Sequence, residues 1–192
     1  MLFIARSTQF LKVTALAITP FLVSPLAAVA NPLEMMEGWV YTVTSSSAFG
    51  VEQQGLPEGL VGRGGVSVGD VFEDQPYSIG LFDYQGQLML SFEQLLMQRK
   101  VTRDGVVVNE QFREILDSAI SSQYEGFQFT CQVNGQNDPE IVAIATVFEP
   151  YVDKEWITEF QGVWRANRET RQLEPIAPDN IRCLNIFYGY DG

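Results

Sequence analysis

The chain has 192 residues, 46% of them hydrophobic and 19% charged, a balance that fits a folded globular protein and argues against disorder. Its 12 basic and 24 acidic residues give a net charge of −12, so repulsion makes nucleic acid and anionic membrane surfaces poor partners. The absence of histidine excludes Ser-His-Asp and Cys-His catalysis and His-ligated zinc.

The first element in chain order is an export signal. Arg6 and Lys12 form a basic start, an apolar stretch runs from Val13 to about Val23, and Ala28-Val29-Ala30 supplies a small-x-small cleavage pattern before Asn31-Pro32. Pro20 and Pro25 interrupt the segment between Lys12 and Asn31, which is short for a membrane span of about 20 apolar residues. The expectation is a cleavable signal at 1–30 and a single globular domain at 31–192, secreted or periplasmic, with no stable membrane insertion after cleavage. Losing Arg6 and Lys12 with the signal makes the remainder more acidic still.

Trp39 to Thr44 alternates and predicts a first strand, ended by Ser45-Ser46-Ser47. Residues 50–70 hold seven of the sixteen glycines together with Pro57, which predicts a Gly-rich loop, either mobile or a lid over a pocket. Two hairpins follow. Ser78–Asp83 and Leu88–Phe92 flank Tyr84-Gln85-Gly86-Gln87, and Val101-Thr102 and Val106–Val108 flank Arg103-Asp104-Gly105.

Asn109 then offers a helix cap. Phe112, Ile115, Leu116, Ala119 and Ile120 recur at i, i+3, i+4, i+7 and i+8, which predicts an amphipathic helix over about 109–122. Phe127–Val133 and Ile141–Phe148 read as strands around the turn Asn134–Pro139. Trp156–Ala166 is ambiguous, Asn167–Gln172 is a turn, and Leu173–Ile176 and Ile181–Tyr188 close the chain as strands. The expected fold class is α+β, a mostly antiparallel β-sheet with the one helix packed on it. Cys131 and Cys183, an even pair in an exported chain, are expected to form one disulfide.

Length, export signal and the Gly38-Trp39 pair resemble the opening of a lipocalin. The middle residue of the G-x-W motif is missing, and the expected helix falls mid-chain instead of after a barrel. No fold or site is therefore taken from that family.

Four groups of residues carry candidate chemistry. Asp70, Glu73 and Asp74, and separately Glu155 and Glu159 around Trp156, offer the paired carboxylates a glycosidase needs. Asn134, Asn137, Asp138 and Glu140 place four oxygen-bearing side chains in seven residues, the donor type calcium takes, although without EF-hand spacing. The glycines of 59–65 lack the Lys-Ser/Thr ending of a phosphate loop. Trp156, Phe160 and Trp164, spaced by four, would share a face in a helix or a strand, and with Tyr188 and Tyr190 they form a candidate ligand-binding set. Together these features predict an exported, non-catalytic binding or structural domain of the periplasm or cell envelope, meeting a protein, a glycan or a small ligand. The alternative is a carboxylate-dependent hydrolase acting on glycans.

Overall fold

The structure is a computed structural model and describes residues 36–48, 50–69, 77–121, 126–146, 154–185 and 188. The expected signal at 1–30 lies outside the described residues, as do Asp70, Glu73, Asp74 and Tyr190. Among the described residues the chain is all strand: β1 (Val40–Ser46), β2 (Gly50–Gln54), β3 (Leu60–Ser67), β4 (Tyr77–Tyr84), β5 (Gln87–Arg103), β6 (Val106–Ser121), β7 (Phe127–Gln128), β8 (Cys131–Val133), β9 (Gln136–Asn137), β10 (Ile141–Ala145), β11 (Trp156–Ile157), β12 (Phe160–Asn167), β13 (Gln172–Pro175) and β14 (Ile181–Leu184). They form three antiparallel sheets, in the orders β2-β1-β6-β5-β4-β3, β13-β12-β10-β7 and β11-β14-β8-β9.

The first sheet is curled. Its two edge strands, β2 and β3, are consecutive in sequence and joined only by residues 55–59, so the edges are drawn toward each other. Gln53 of β2 reaches across and lies against Gly62 of β3, where a Cβ would overlap its carboxamide. Two register shifts in the long β5–β6 hairpin, at Phe92/Glu93 and Leu95/Met97, add the local bend and twist that bulges impose. Both predicted hairpin turns are present. Gln85-Gly86 and Asp104-Gly105 hold positive φ at both positions, the requirement of a two-residue turn matched to strand twist.

Three apolar layers follow from strand alternation. Met36, Tyr41, Leu60, Phe82, Met89 and Ile115 fill the concave side of the first sheet. Its other face packs on the second sheet through Ile79, Leu88, Leu90, Phe92, Leu116, Val142 and Ile144. Ile141, Ala143 and Val163 turn the opposite way, toward Ile181 and the disulfide. Cys131 and Cys183 lie directly opposite each other on β8 and β14 and are bridged, as expected.

The α+β expectation is corrected: residues 109–121 are strand, and no helix occurs among the described residues. Ile115 packs into the concave core and Leu116 into the core on the other face. Ala119 and Ile120 divide in the same way. A register shift beside Leu116 separates the two pairs. Adjacent apolar pairs four residues apart therefore mark a strand covered on both faces, and they mimic the stripe of a helix covered on one.

The Gly-rich loop at 50–70 is also corrected, since most of it forms β2 and β3. Gly65 lies so close to β4 that a Cβ would stand 2.6 Å from the Ile79 carbonyl oxygen, and Gly64, at φ 131°, sits where the register shifts. These glycines permit close pairing and a bulge within a strand.

Candidate functional site

The concave side of the first sheet holds a cleft of about 310 Å³ to which all six strands contribute. Its mouth is formed by Val51 of β2 and by Gly64, Gly65 and Ser67 of β3, all exposed. Its floor is polar and buried: Tyr41 is 3% exposed, Ser78 6% and Glu93 1%. Val43 supplies apolar wall between mouth and floor, while Val66, opposite Ile79, turns its side chain to the core on the other face.

Register builds this floor. Ser78 of β4 stands opposite Glu93 of β5, and Tyr41 of β1 opposite Arg113 of β6, so four neighbouring strands present one polar row. Alternation along β5 turns Leu88, Leu90 and Phe92 to the second sheet, which leaves Met89, Ser91 and Glu93 on the concave side. Gly80, opposite Ser91, leaves the space the carboxylate occupies. A Cβ there would overlap both Glu93 Oε1 and Ser91 Oγ.

Glu93 is satisfied internally. Its Oε1 accepts from Tyr41 Oη at 2.8 Å and from Ser91 Oγ, and its Oε2 accepts from Ser78 Oγ at 3.2 Å. Arg113 Nη1 lies 3.6 Å from Oε2 and donates to Ser78 Oγ. Arg113 also donates through Nε and Nη2 to Gln111 Oε1, at 3.2 and 2.7 Å. Burial raises the Glu93 pKa above the ordinary carboxylate value, against the opposing pull of Ser91, Arg113, Tyr41 and Ser78. Burial first, then the charge of Glu93, drives the Tyr41 phenol well above its usual range, so Tyr41 remains a donor.

The residues singled out by sequence lie elsewhere. Trp156 belongs to the third sheet, where the Arg182 guanidinium sits 4.3 Å from its ring centroid. Phe160 and Trp164 share β12 but pack into different cores, because a register shift between them reverses the alternation. The aromatic set is thus not one face. Tyr188 is exposed.

Of the calcium candidates, Asp138 and Glu140 are ion-paired with Arg165 and Arg168 at 2.7–3.3 Å, and Asn134 occupies a positive-φ turn position. No group of three or more acidic or cysteine residues among those described is arranged to hold a metal. The carboxylates of this set are therefore used as partners for arginines. Glu155 and Glu159 are exposed, and neither lines the cleft.

Sequence reading missed Glu93, Ser91, Tyr41 and Arg113. One signal was available: Ser91 interrupts the apolar run Leu88–Phe92 and Glu93 follows two residues on, the mark of a polar patch on one face of a strand. No family model, curated protein or solved structure matches this chain.

Proposed function

We propose that this protein is an exported, non-catalytic binding domain that takes a small ligand into the concave cleft of its first sheet. One observation carries this reading: six strands converge on a cleft with an open mouth, apolar walls and a prearranged polar floor. A concave, partly apolar site with a few convergent polar groups is the usual form of a small-molecule pocket. Its volume lies at the small end of such sites. The Cys131–Cys183 bridge is compatible with an oxidising compartment, and export is proposed on the signal pattern at 1–30. The hydrolase reading draws less support. Glu155 and Glu159 are exposed, and Glu93 is the one acid among the described residues that line the cleft.

Native mass spectrometry of the protein recovered from its exported fraction tests the reading. The expected result is the mass of residues 31–192 less two hydrogens, with a small-molecule adduct that is lost on unfolding. A bare mature mass in every preparation would favour a structural or protein-contact role, and a full-length mass would overturn export.

A further inference from the structure

We infer that the ligand of the cleft is a small organic monocarboxylate with a short apolar body, its carboxylate received by the Arg113 guanidinium. This rests on the binding-domain reading above and narrows it to one ligand chemistry.

Glu93 is 1% exposed and its two oxygens already accept from Tyr41, Ser91 and Ser78, so it has little capacity to receive a donor from a ligand. Tyr41 and Ser78 spend their hydroxyl protons on Glu93. Arg113 is different. Its side chain is 20% exposed and lines the cleft, and a guanidinium carries five N–H donors. Three of these are engaged, by Gln111 twice and by Ser78 once. Two N–H groups, one on each terminal nitrogen, make no hydrogen bond among the described residues, although Nη1 is also ion-paired with Glu93 at 3.6 Å. The floor therefore presents spare donors on a cation, which calls for an acceptor, and a planar fork pairs best with a carboxylate.

Fixing the guanidinium is the role left to Glu93, Ser78 and Gln111. They hold it from three directions, so little side-chain freedom remains to be lost on binding. The walls set the remainder of the ligand. Val43 offers apolar surface beside the floor and Val51 at the mouth, and no second cation lines the cleft among the described residues. One cation and a strongly acidic chain favour a single negative charge over a phosphate dianion.

The test is a titration of the purified, disulfide-bonded protein with hexanoate, hexanamide, hexylammonium and inorganic phosphate, followed by valine-methyl NMR. The expected result is saturable hexanoate shifts at Val43 and Val51, with affinity about tenfold or more above hexanamide, the gain of a charge-assisted pair. Val51→Asp, at a position 73% exposed and so tolerant of a charge, is expected to weaken hexanoate more than hexanamide, since both lose an apolar contact and only hexanoate is repelled by the added charge. Arg113→Lys is expected to reduce the preference for hexanoate, since it keeps the charge and loses the fork.

Hexanamide or hexylammonium binding in the cleft with an affinity equal to or above that of hexanoate would overturn the carboxylate inference and leave the binding-domain reading standing. Phosphate binding more tightly than hexanoate would do the same. Shifts confined to residues outside the cleft, or no shift with any probe, would overturn the inference; an unidentified adduct in the native mass would then decide separately whether the domain binds a ligand.

Discussion

Glu93 and Glu110 are both buried carboxylates on the long hairpin, yet they titrate in opposite directions. Burial dominates at Glu93 and raises its pKa. Arg99 and Arg103, each 2.7 Å away, hold Glu110 below the ordinary carboxylate value, with the Arg99 hydrogen bond the largest cause. Linkage then gives opposite signs. The folded state holds the Glu93 proton more tightly than the unfolded chain does, so its contribution is complete below the ordinary carboxylate value and is lost as pH rises through the raised one. The Glu110 contribution is present above the ordinary value and is lost as pH falls through the depressed one. In urea midpoints measured across pH, Glu93→Gln is expected to flatten the decline toward neutral pH, even if loss of the Arg113 partner lowers its whole curve. Glu110→Gln is expected to fall below wild type at neutral pH and converge with it in acid. Parallel slopes for both variants and wild type would contradict these assignments. A second prediction at this scale concerns Gly80. Gly80→Ala forces a methyl group against Glu93 Oε1 and Ser91 Oγ, and is expected to cost about 1–3 kcal/mol in chemical denaturation.

At the scale of elements, β6 is the instructive case. A helix with one buried face and a strand with two buried faces can carry the same letters. Burial of consecutive residues on opposite faces tells them apart. Ile115→Ala and Leu116→Ala are each expected to cost about 2–5 kcal/mol, because each empties a different core. Arg113→Ala adds the loss of a partner for buried Glu93. If either Ile115→Ala or Leu116→Ala costs less than about 0.5 kcal/mol, the value of an ordinary surface site, the two-faced burial of β6 is wrong. The same contrast explains what could be read from sequence. The hairpin turns at Gln85-Gly86 and Asp104-Gly105 were legible because turn chemistry is local. So was the pairing of two cysteines in a chain with an export pattern. Partnership across strands was not. Nothing within residues 109–121 says that β1 and β5 flank them, and nothing within 50–70 says that their glycines lie against β4. The cleft was hidden for that reason: Tyr41, Ser78, Glu93 and Arg113 become neighbours only once the strand order is known.

The whole molecule places its bridge and its cleft at opposite ends of a three-layer stack. Cys131 and Cys183 are 52 residues apart, and the segment between them contains β9 to β13. Closing that loop is worth about 4 kcal/mol in the chain-entropy account. The stabilised cores are not independent. β10 is shared, with Ile141 facing the disulfide layer and Ile144 facing the first sheet. Polar links also cross from the first sheet to the second: the Leu173 amide donates to Asp117 at 2.7 Å, and Arg171 pairs with Glu114 at 3.0 Å. Reduction therefore weakens the third sheet directly and the cleft only through β10 and these links. Calorimetry with and without reductant is expected to show a fall in Tm of about 10 °C. Hydrogen exchange after reduction is expected to rise first at Cys131–Val133 and Ile181–Leu184, with β4 and β5 the last to respond. An unchanged Tm would mean that the bridge is not formed in the isolated protein. Equal and simultaneous loss of protection in β5 and β14 would mean that the layers unfold as one cooperative unit, and that the cleft depends on the bridge as much as the third sheet does.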